Sequence, residues 1–432
     1  MKQIGIGLLG FGTVGAGVVN GLRSNHDVLA HRLGFELVLR RIGDIDIDRD
    51  RGVPVDRALL TRDAREVIHD PSVDIVVELI GGTGIARTLM TEALQAGKPV
   101  VTANKKLLAE HGEEIFGLAE KKGVDLYFGA SVGGGIPIIR VLREGLVGNQ
   151  VLRMLGILNG TCNYILTRME TEGAAFDTVL RAAQDAGYAE ADPSLDIDGF
   201  DTAHKAVILA SLAYGFHVPM SAITVEGIRG LSGLDVQYAR ELGYRIKLLA
   251  VIRRDGDEIE VRVHPTLVPV DHMLASVSQV FNAVMVRCDL TGDTLYYGRG
   301  AGRDPTASTV IGDLADVARN LASRQPRHRR GVARATGSSL RIRPLAETTS
   351  HYYVRLMVLD KPGSLGIFTG IIGRHGVSIS AVTQRAVPEE GGHVPVVVLT
   401  HAARESALDA ALAEIHAAGV VGEKPKKIRM LD

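Results

Sequence analysis

Residues 4–15 read Ile-Gly-Ile-Gly-Leu-Leu-Gly-Phe-Gly-Thr-Val-Gly, an apolar run that leads into a glycine-rich turn. Val18, Val19 and Leu22 follow at the spacing of one helix face. A strand, a glycine turn and a helix in this order let the backbone approach a pyrophosphate, which the amide groups and the positive end of the helix stabilise. The alternative is a purely structural turn. We predict dinucleotide contacts at Gly10, Phe11, Gly12, Thr13, Val14 and Gly15.

Further apolar segments continue the pattern that the first strand begins. They cover residues 35–42, 73–80, 100–102 and 125–128, and helical segments separate most of them. Strands that alternate with helices predict βαβ units and a doubly wound parallel sheet of the Rossmann type. We assign the dinucleotide-binding domain to residues 1–135. A helix predicted at about 303–323 is expected to return to it.

The end of the second predicted strand bears on which dinucleotide is preferred. Arg40 and Arg41 lie there, and Asp44 follows them. An arginine favours the 2′-phosphate of NADP, whereas an acid holds the free ribose hydroxyl of NAD and repels a phosphate. These residues leave NAD and NADP open. Arg41 is the candidate phosphate ligand, and a solvated strand end is the alternative for both arginines.

Three more positions are predicted to lie near the dinucleotide. Ala103 and Lys105 follow the strand at 100–102, at the carboxyl edge of the sheet where such folds bind their ligands. We expect Lys105 to reach the active site from there. Gly302 ends a glycine-rich segment before the helix at 303–323 and is a further candidate contact.

A glycine-rich crossing, residues 129–137, leads out of the first domain. Its exposed carbonyl groups could hold a hard monovalent cation, because such ions prefer oxygen ligands.

Residues 187–205 gather carboxylates around a lysine and read Gly-Tyr-Ala-Glu-Ala-Asp-Pro-Ser-Leu-Asp-Ile-Asp-Gly-Phe-Asp-Thr-Ala-His-Lys. Pro193 and Gly199 favour a loop, after which Asp201 and Lys205 are four residues apart on one helix face. Carboxylates suit a substrate with its own ammonium group, and a lysine can donate a proton to a carbonyl being reduced. The pattern favours an amino-acid aldehyde reductase. The alternative is a solvated acidic loop before a surface helix.

The middle of the chain, residues 136–323, predicts an α+β domain for substrate binding and oligomerisation. A strand at 151–158 leads through Asn159-Gly160-Thr161 into a helix, and two later hairpins predict an antiparallel or mixed sheet. Asn159 and Thr161 either cap that helix or present an amide and a hydroxyl to a substrate carboxylate.

The last part of the chain predicts a separate small domain. The basic run at 324–330 opens a solvated linker, residues 324–351, and no aromatic residues or motif support nucleic-acid binding there. Residues 352–432 follow the order βαββαβ, which is typical of ferredoxin-like domains.

Composition restricts the partners. The 49 basic and 50 acidic residues give a net charge of -1, so no overall field favours nucleic acid or an anionic membrane. Only Cys162 and Cys288 occur, which fits a reducing compartment and excludes a disulfide framework. No apolar run approaches the roughly 18 to 20 residues of a membrane span. We expect a cytoplasmic protein that acts on small molecules.

With these residues described, the whole chain resembles the homoserine dehydrogenases that carry a C-terminal ACT domain. The most specific match comprises Ala183, Gly187, Asp192-Pro193, Asp196, Gly199, Asp201 and Lys205. Other matching segments, in family order, are the turn at Gly10, Asn104-Lys105, residues 132–137 and Asn159-Gly160-Thr161. The resemblance implies reversible NAD(P)H-dependent reduction of L-aspartate 4-semialdehyde to L-homoserine, on the branch to threonine, methionine and isoleucine.

The resemblance also implies roles for individual residues. Lys205 is similar to the family's proton donor, and Lys105 matches its second important lysine. Substrate-binding positions correspond to Glu190, Asp196, Asp201, Gly160 and Thr161. A homodimer or homotetramer is expected.

Two positions depart from the family pattern. Many members help to hold sodium with a glutamate where this chain has Gly129. The resemblance leaves the backbone carbonyls of Val132, Gly134 and Ile136 as candidate ligands, so we expect weak or absent monovalent-cation binding. Ile45 stands where a basic residue is common, which weakens the case for NADP.

The tail is open to two interpretations. Residues 360–365 are similar to the first loop of ACT domains, which commonly bind amino acids at domain interfaces. The tail is therefore either a site for an effector such as threonine or a dimerisation module without an effector.

Two other functions are compatible with parts of the sequence. A semialdehyde dehydrogenase that works through a cysteine thioester would need a reactive thiol, for which Cys162 is the candidate. A catalytically inactive amino-acid sensor would use the nucleotide fold and the tail for binding alone. The intact set Lys105, Glu190, Asp201 and Lys205 argues against the sensor.

Overall fold

The computed structural model describes residues 1–323, 340–384 and 392–431. These residues form two compact units. The first contains residues 1–160, 201–221 and 281–323, and the second contains residues 161–200, 222–280, 340–384 and 392–431. The basic run at 324–330 and the part of the predicted linker up to residue 339 lie outside the described residues.

A parallel sheet forms the centre of the first unit. Its strands are β1 (Gln3–Leu9), β2 (Glu36–Gly43), β3 (Leu60–Thr61), β4 (Ile75–Glu78), β5 (Val100–Thr102) and β6 (Leu126–Tyr127). The helices between them are α1 (Thr13–Ser24), α2 (His26–Leu33), α3 (Ala64–His69), α4 (Ile85–Gln95) and α5 (Lys105–Lys122). The strand order β3-β2-β1-β4-β5-β6 confirms the doubly wound Rossmann-type sheet. The order reverses beside β1, where such sheets bind ligands.

The middle of the chain contributes elements to both units. Its helices are α6 (Ile138–Arg140), α7 (Gly160–Glu172), α8 (Phe176–Asp185), α9 (Ser194–Ile197), α10 (Phe200–Tyr214), α11 (Gly233–Glu241) and α12 (Arg303–Ser323). Its strands are β7 (Val151–Ile157), β8 (Thr224–Val225), β9 (Tyr244–Asp255), β10 (Glu258–Pro269), β11 (Phe281–Cys288) and β12 (Gly292–Arg299). Both predicted hairpins are present, as β9–β10 and β11–β12.

Helix α12 packs on the parallel sheet of the first unit. Val310, Leu314 and Val317 share one buried core with residues of β1 and α1. Gly17 lets the helices approach closely, since a Cβ there would lie 2.8 Å from the carbonyl oxygen of Arg303. The strands β7, β11 and β12 form an antiparallel ladder in the same unit.

The tail forms the predicted βαββαβ domain in the second unit. Its strands are β13 (Arg341–Ile342), β14 (Thr349–Leu359), β15 (Ile379–Gln384), β16 (His393–Thr400), β17 (Ala403–Arg404) and β18 (Lys426–Met430). Its helices are α13 (Ser364–Arg374) and α14 (Glu405–Ala417). The strand order β18-β14-β16-β15 confirms the ferredoxin-like fold. Strand β18 also pairs with β10, where Thr266 lies opposite Arg429, so one sheet runs from β9 to β15.

Residues 187–199, called the acidic stretch below, precede α10 and differ from the predicted loop. The stretch contains one helical turn, α9, because the Asp192 carboxylate accepts a hydrogen bond from the amide of Ser194 at 3.1 Å and Pro193 precedes the turn. Among the helices that the structure describes, none is long and apolar enough to cross a membrane.

Candidate active site

Two lysines meet one aspartate in the first unit. Lys105 is the first residue of α5, and its Nζ lies 2.8 Å from Asp201 Oδ1. Lys205 lies one turn after Asp201 on α10, and its Nζ lies 2.7 Å from Asp201 Oδ2. The shared helix face predicted for Asp201 and Lys205 is therefore confirmed, and Lys105 reaches the same carboxylate from α5.

The carboxylate of Asp201 is buried and ionised. Burial alone would raise its pKa, but the ammonium groups of Lys205 and Lys105 outweigh burial and hold the pKa well below the usual range. The two lysines differ in exposure, since the side chain of Lys205 is 9 % exposed and that of Lys105 is 37 % exposed. The cluster thus has a buried ammonium group at one end and a partly hydrated one at the other.

The segment after β7 completes the surroundings of Lys205. The carbonyl oxygen of Leu158 accepts a hydrogen bond from Lys205 Nζ at 2.6 Å. The side-chain amide of Asn159 donates to Asp201 Oδ2 at 2.9 Å. Asn159 therefore orients the aspartate that holds Lys205.

Buried polar groups fix the start of α5. The side chain of Asn104 caps the helix by accepting from the backbone amide of Leu107 at 3.1 Å. The backbone amide of Asn104 donates to the hydroxyl of Thr102 at 2.9 Å. That hydroxyl donates to Glu78 at 2.6 Å, and Glu78 also accepts from the amides of Ile80 and Gly81 at 2.9 and 3.0 Å. Burial raises the pKa of Glu78, which these donors partly offset. The network holds Lys105 at the carboxyl edge of the sheet.

Sequence reasoning missed Glu78 and His204. Glu78 ends an apolar strand at the ligand-binding edge, a signal that was available. His204 is buried beside Lys205, and its Nε2 lies 3.6 Å from Glu110 Oε1. Burial lowers the pKa of His204, which favours the neutral imidazole. A single histidine in an apolar helix carries no pattern that would predict this contact.

The glycine turn after β1 fits a pyrophosphate. Gly10 has φ +95°, and a Cβ there would lie 2.8 Å from the backbone of Leu79. A Cβ at Gly15 would lie 2.2 Å from the carbonyl oxygen of Gly10. Helix α1 has no side-chain cap and no acidic residue in its first turn, so its amides are available to an anion. Both observations agree with dinucleotide binding.

Residues at the end of β2 do not present a ready phosphate site. Arg41 Nε donates to Asp70 Oδ2 at 3.1 Å, and Arg40 donates to Gln3 at 2.7 Å. The carboxylate of Asp44 instead lies at the glycine turn after β1, where it accepts a hydrogen bond from the backbone amide of Phe11 at 2.6 Å.

The remaining predicted dinucleotide contacts have separate positions in the first unit. Ala103 lies between β5 and α5, partly buried against the core of the parallel sheet. Gly302 precedes α12 with φ +118°, a conformation that favours glycine.

The glycine-rich crossing has a carboxylate beside it, although Gly129 provides none. Asp313, on α12, accepts from the amide of Gly129 at 2.7 Å and occupies the space that a side chain at 129 would need. The carbonyls of Gly134 and Ile136 accept from Thr309 Oγ1 at 2.6 Å and from the amide of Ile138 at 2.8 Å. Val132 is buried in the same crossing.

The other predicted substrate residues follow β7. Gly160 begins helix α7 in the first unit. In the second unit, the hydroxyl of Thr161 donates to the carbonyl of Tyr188 at 2.6 Å, which anchors the acidic stretch. Within that stretch, the carbonyl of Asp196 accepts from the Cys162 thiol at 3.2 Å, and the side chain of Glu190 is exposed. Cys162 is fully buried, a packing position.

Comparison with known proteins agrees with this geometry. Residues 10–129 match the family model of the homoserine dehydrogenase NAD-binding domain, residues 137–315 match that of homoserine dehydrogenase, and residues 352–419 match that of the ACT domain. A homoserine dehydrogenase of Neisseria gonorrhoeae is 46 % identical over 100 % of this chain and 99 % of its own.

Solved structures show the same similarity. A homoserine dehydrogenase of Thiobacillus denitrificans aligns with a TM-score of 0.93 and 45 % identity over 100 % of this chain and 99 % of its own. A hyperthermophilic archaeal homoserine dehydrogenase, solved in complex with NADPH, aligns with a TM-score of 0.64 and 28 % identity over 73 % of this chain and 98 % of its own. The chain therefore belongs to the homoserine dehydrogenase family, NAD(P)-dependent oxidoreductases that interconvert L-aspartate 4-semialdehyde and L-homoserine, and it carries a C-terminal ACT domain.

Proposed function

We propose that Lys205 is the proton donor when the aldehyde of L-aspartate 4-semialdehyde is reduced. The nicotinamide, when bound, supplies the hydride to the carbonyl carbon. The ammonium group of Lys205 then donates a proton, directly or through water, to the developing alkoxide. In the oxidation of homoserine, the neutral amine accepts that proton. The single observation that carries this role is the burial of Lys205 between Asp201 and the carbonyl of Leu158.

Asp201 and Lys105 support this proton transfer. The carboxylate of Asp201 fixes the direction of the Lys205 ammonium group and compensates its charge in a buried position. Lys105 contacts the other oxygen of the same carboxylate and is more exposed, so it lies on the side from which solvent can exchange protons. Lys105 thus acts beside the dinucleotide as the second catalytic lysine.

Replacing Lys205 by alanine tests the role directly. We expect turnover in both directions to fall by about 100-fold or more, because the proton transfer is lost. Dinucleotide affinity, measured by calorimetry, should stay unchanged. Lys106→Ala is the control, since Lys106 is an exposed lysine that follows Lys105 on α5 and lies 4.0 Å from Glu110. Near-normal turnover in the Lys205 variant would remove this residue from the reaction.

The substrate's own charges are assigned to the acidic stretch and the turn before α7. Glu190 and Asp196 bind the substrate ammonium group, because carboxylates are its natural partners. Gly160 presents a backbone amide to the substrate carboxylate, and Thr161 presents a hydroxyl that would have to leave the carbonyl of Tyr188 to donate to it.

The dinucleotide is held by residues 10–15, Ala103, Lys105 and Gly302. Arg41 would have to leave Asp70 to bind a 2′-phosphate, whereas Asp44 already lies at the turn, and this arrangement supports NAD over NADP. The archaeal relative solved with NADPH makes NADP the alternative. Calorimetric titration of the protein with NAD⁺ and NADP⁺ decides between them, and tighter binding of NADP⁺ would restore Arg41 as a phosphate ligand.

Regulation, assembly and ion binding complete the proposal. The ACT domain binds an amino acid such as threonine, which titration of threonine against activity in the intact protein would test.

The protein acts in the cytoplasm as a homodimer or homotetramer, with light scattering as the test of assembly. The crossing at Val132, Gly134 and Ile136 binds monovalent cations weakly or not at all, so sodium at matched ionic strength should not activate the enzyme.

A further inference from the structure

Arg429, on β18, is a buried arginine that joins two carboxylates. Its guanidinium donates to Glu405, the first residue of α14, at 2.9 and 2.6 Å. It also donates to Glu226 at 3.0 and 2.7 Å. The side chain of Arg429 is 2 % exposed and that of Glu226 is 39 % exposed. Two bidentate contacts on a planar guanidinium fix the positions of both carboxylates.

Glu226 is the first residue of a short segment, residues 226–229, that makes hydrogen bonds to the acidic stretch. Its own amide donates to the carbonyl of Val263 on β10 at 2.7 Å. The amide of Ile228 donates to the carbonyl of Ile197 at 2.8 Å. Arg229 pairs with Asp198 at 2.8 and 3.1 Å. Residues 226–229 therefore lie directly against the turn that ends α9.

Glycines bring the two backbones into contact. A Cβ at Gly227 would lie 2.0 Å from the carbonyl oxygen of Ile197 and 2.4 Å from the Cα of Asp198. Gly199 has φ +90°, and a Cβ there would lie 3.4 Å from the carbonyl oxygen of Glu226. Because no side chain separates the segments at these points, a shift of one backbone must be followed by the other.

We infer that Arg429 is a positioning residue for the acidic stretch: through Glu226 it fixes residues 226–229, and these hold residues 196–199. The ACT domain's last strand thereby has a physical connection to a stretch of the proposed substrate site. The effect on substrate rests on the proposed function, which assigns Asp196 to the substrate ammonium group. The connection itself does not depend on that assignment.

Glu226→Gln removes the charged contact between Arg429 and residues 226–229. It does not leave the buried guanidinium without a carboxylate, since Arg429 keeps its pairing with Glu405. Glu423→Gln is the matched control. Arg355, on β14, is also buried, with its side chain 8 % exposed, and it donates to the exposed Glu423 at 2.8 Å while keeping Asp235 at 2.8 Å. In both variants, an arginine of the ACT domain loses one carboxylate partner and keeps another. They differ because Glu226 belongs to the segment that contacts the acidic stretch, whereas Glu423 does not.

Hydrogen exchange read by mass spectrometry is the deciding measurement. In Glu226→Gln, we expect amide exchange in peptides that cover residues 194–199 to accelerate by about two- to thirtyfold, the range typical of coupling through packed networks. Glu423→Gln should leave those peptides unchanged. Glu226→Asp keeps the charge at shorter reach and should give an intermediate rate. Equal exchange in the parent protein and Glu226→Gln would overturn the inference.

Kinetics of the same variants separate this inference from the proposed function. We expect KM for homoserine to rise in Glu226→Gln by a factor similar to that of the exchange rate, while kcat changes less than KM. Faster exchange with an unchanged KM would uphold the connection and would instead remove the acidic stretch from the substrate site. A raised KM in Glu423→Gln as well, without faster exchange, would count against the inference, because the effect would then be general to the ACT sheet.

Discussion

At the scale of single residues, Asp201 shows how much of the site a sequence can reveal. Its spacing to Lys205 places both on one helix face, which the structure confirms. Lys105 was expected in the active site from its place after β5, but its contact with Asp201 joins residues far apart in sequence, and no local period reports such a contact. His204 was missed for the same reason, whereas Glu78 could have been predicted from its place at the end of β4.

Asp313 is the residue whose charge should affect stability most directly. Burial raises its pKa from an ordinary value of 3.8 to about 7, which the hydrogen bond from Gly129 partly offsets. The folded protein therefore binds this proton more tightly than the unfolded chain does. Its contribution to stability is complete below about pH 4 and is lost as the pH rises to about 7.

Asp313→Asn tests this contribution, since an amide can still accept from Gly129 but does not ionise. We expect the variant to match the parent near pH 4 and to exceed its unfolding free energy by about 4 kcal/mol at pH 8. Urea unfolding at both pH values measures the difference. Asp316→Asn, on the same helix, removes a partner of Arg140 and should be destabilising at both. An Asp313→Asn variant without a pH-dependent gain would contradict the raised pKa.

At the scale of elements, the strands of the parallel sheet and the βαββαβ tail follow from apolar runs, glycine turns and helical spacing. The two-residue strands β3, β8, β13 and β17 were not predicted, because so short a strand is defined by its partner and not by its own sequence. Helix α9 was missed because Pro193 and Gly199 predict a break, and a single turn of four residues is too short to show helical spacing.

The N-terminus of α5 gives an element-scale prediction. Asn104→Ala removes the cap, so we expect a loss of about 1 kcal/mol of stability, and turnover should fall because Lys105 is the first residue of this helix. Asp63→Ala is the control, since Asp63 caps α3 in the same way through the amide of Arg65. Thermal unfolding should report a similar loss in both variants. Reduced turnover in Asp63→Ala to the same degree would show that the activity loss reflects stability alone.

At the scale of the whole molecule, the sequence predicts the family, the reaction and the order of the fold types along the chain. The two rival functions fail on different grounds. Cys162 packs in the interior, which does not suit a thioester mechanism, and membership of the homoserine dehydrogenase family argues against a sensor without catalysis. The division into two interleaved units could not be predicted, because it depends on contacts between segments that are distant in the chain.

Removal of the tail gives a prediction at this scale. Truncation before residue 340 deletes β13 and β18 and leaves only the two-residue strand β8 among the described partners on that edge of β10, so we expect the shortened protein to aggregate. Size-exclusion chromatography with light scattering would show large assemblies at a concentration where the parent is homogeneous. A truncated protein that stays as homogeneous as the parent would show that β10 does not need this partner.

The pairing of β10 with β18 also constrains biosynthesis. Strand β10 is synthesised before β18, and residues 270–425 lie between them, so the positions of β10 that pair with β18 stay open until those residues have been made. During that interval the nascent chain carries an open edge that can recruit other polypeptides. The synthesis of β18, and not that of β10, thus completes this part of the sheet, and we expect chaperones that bind nascent chains to associate with this protein until β18 has been made.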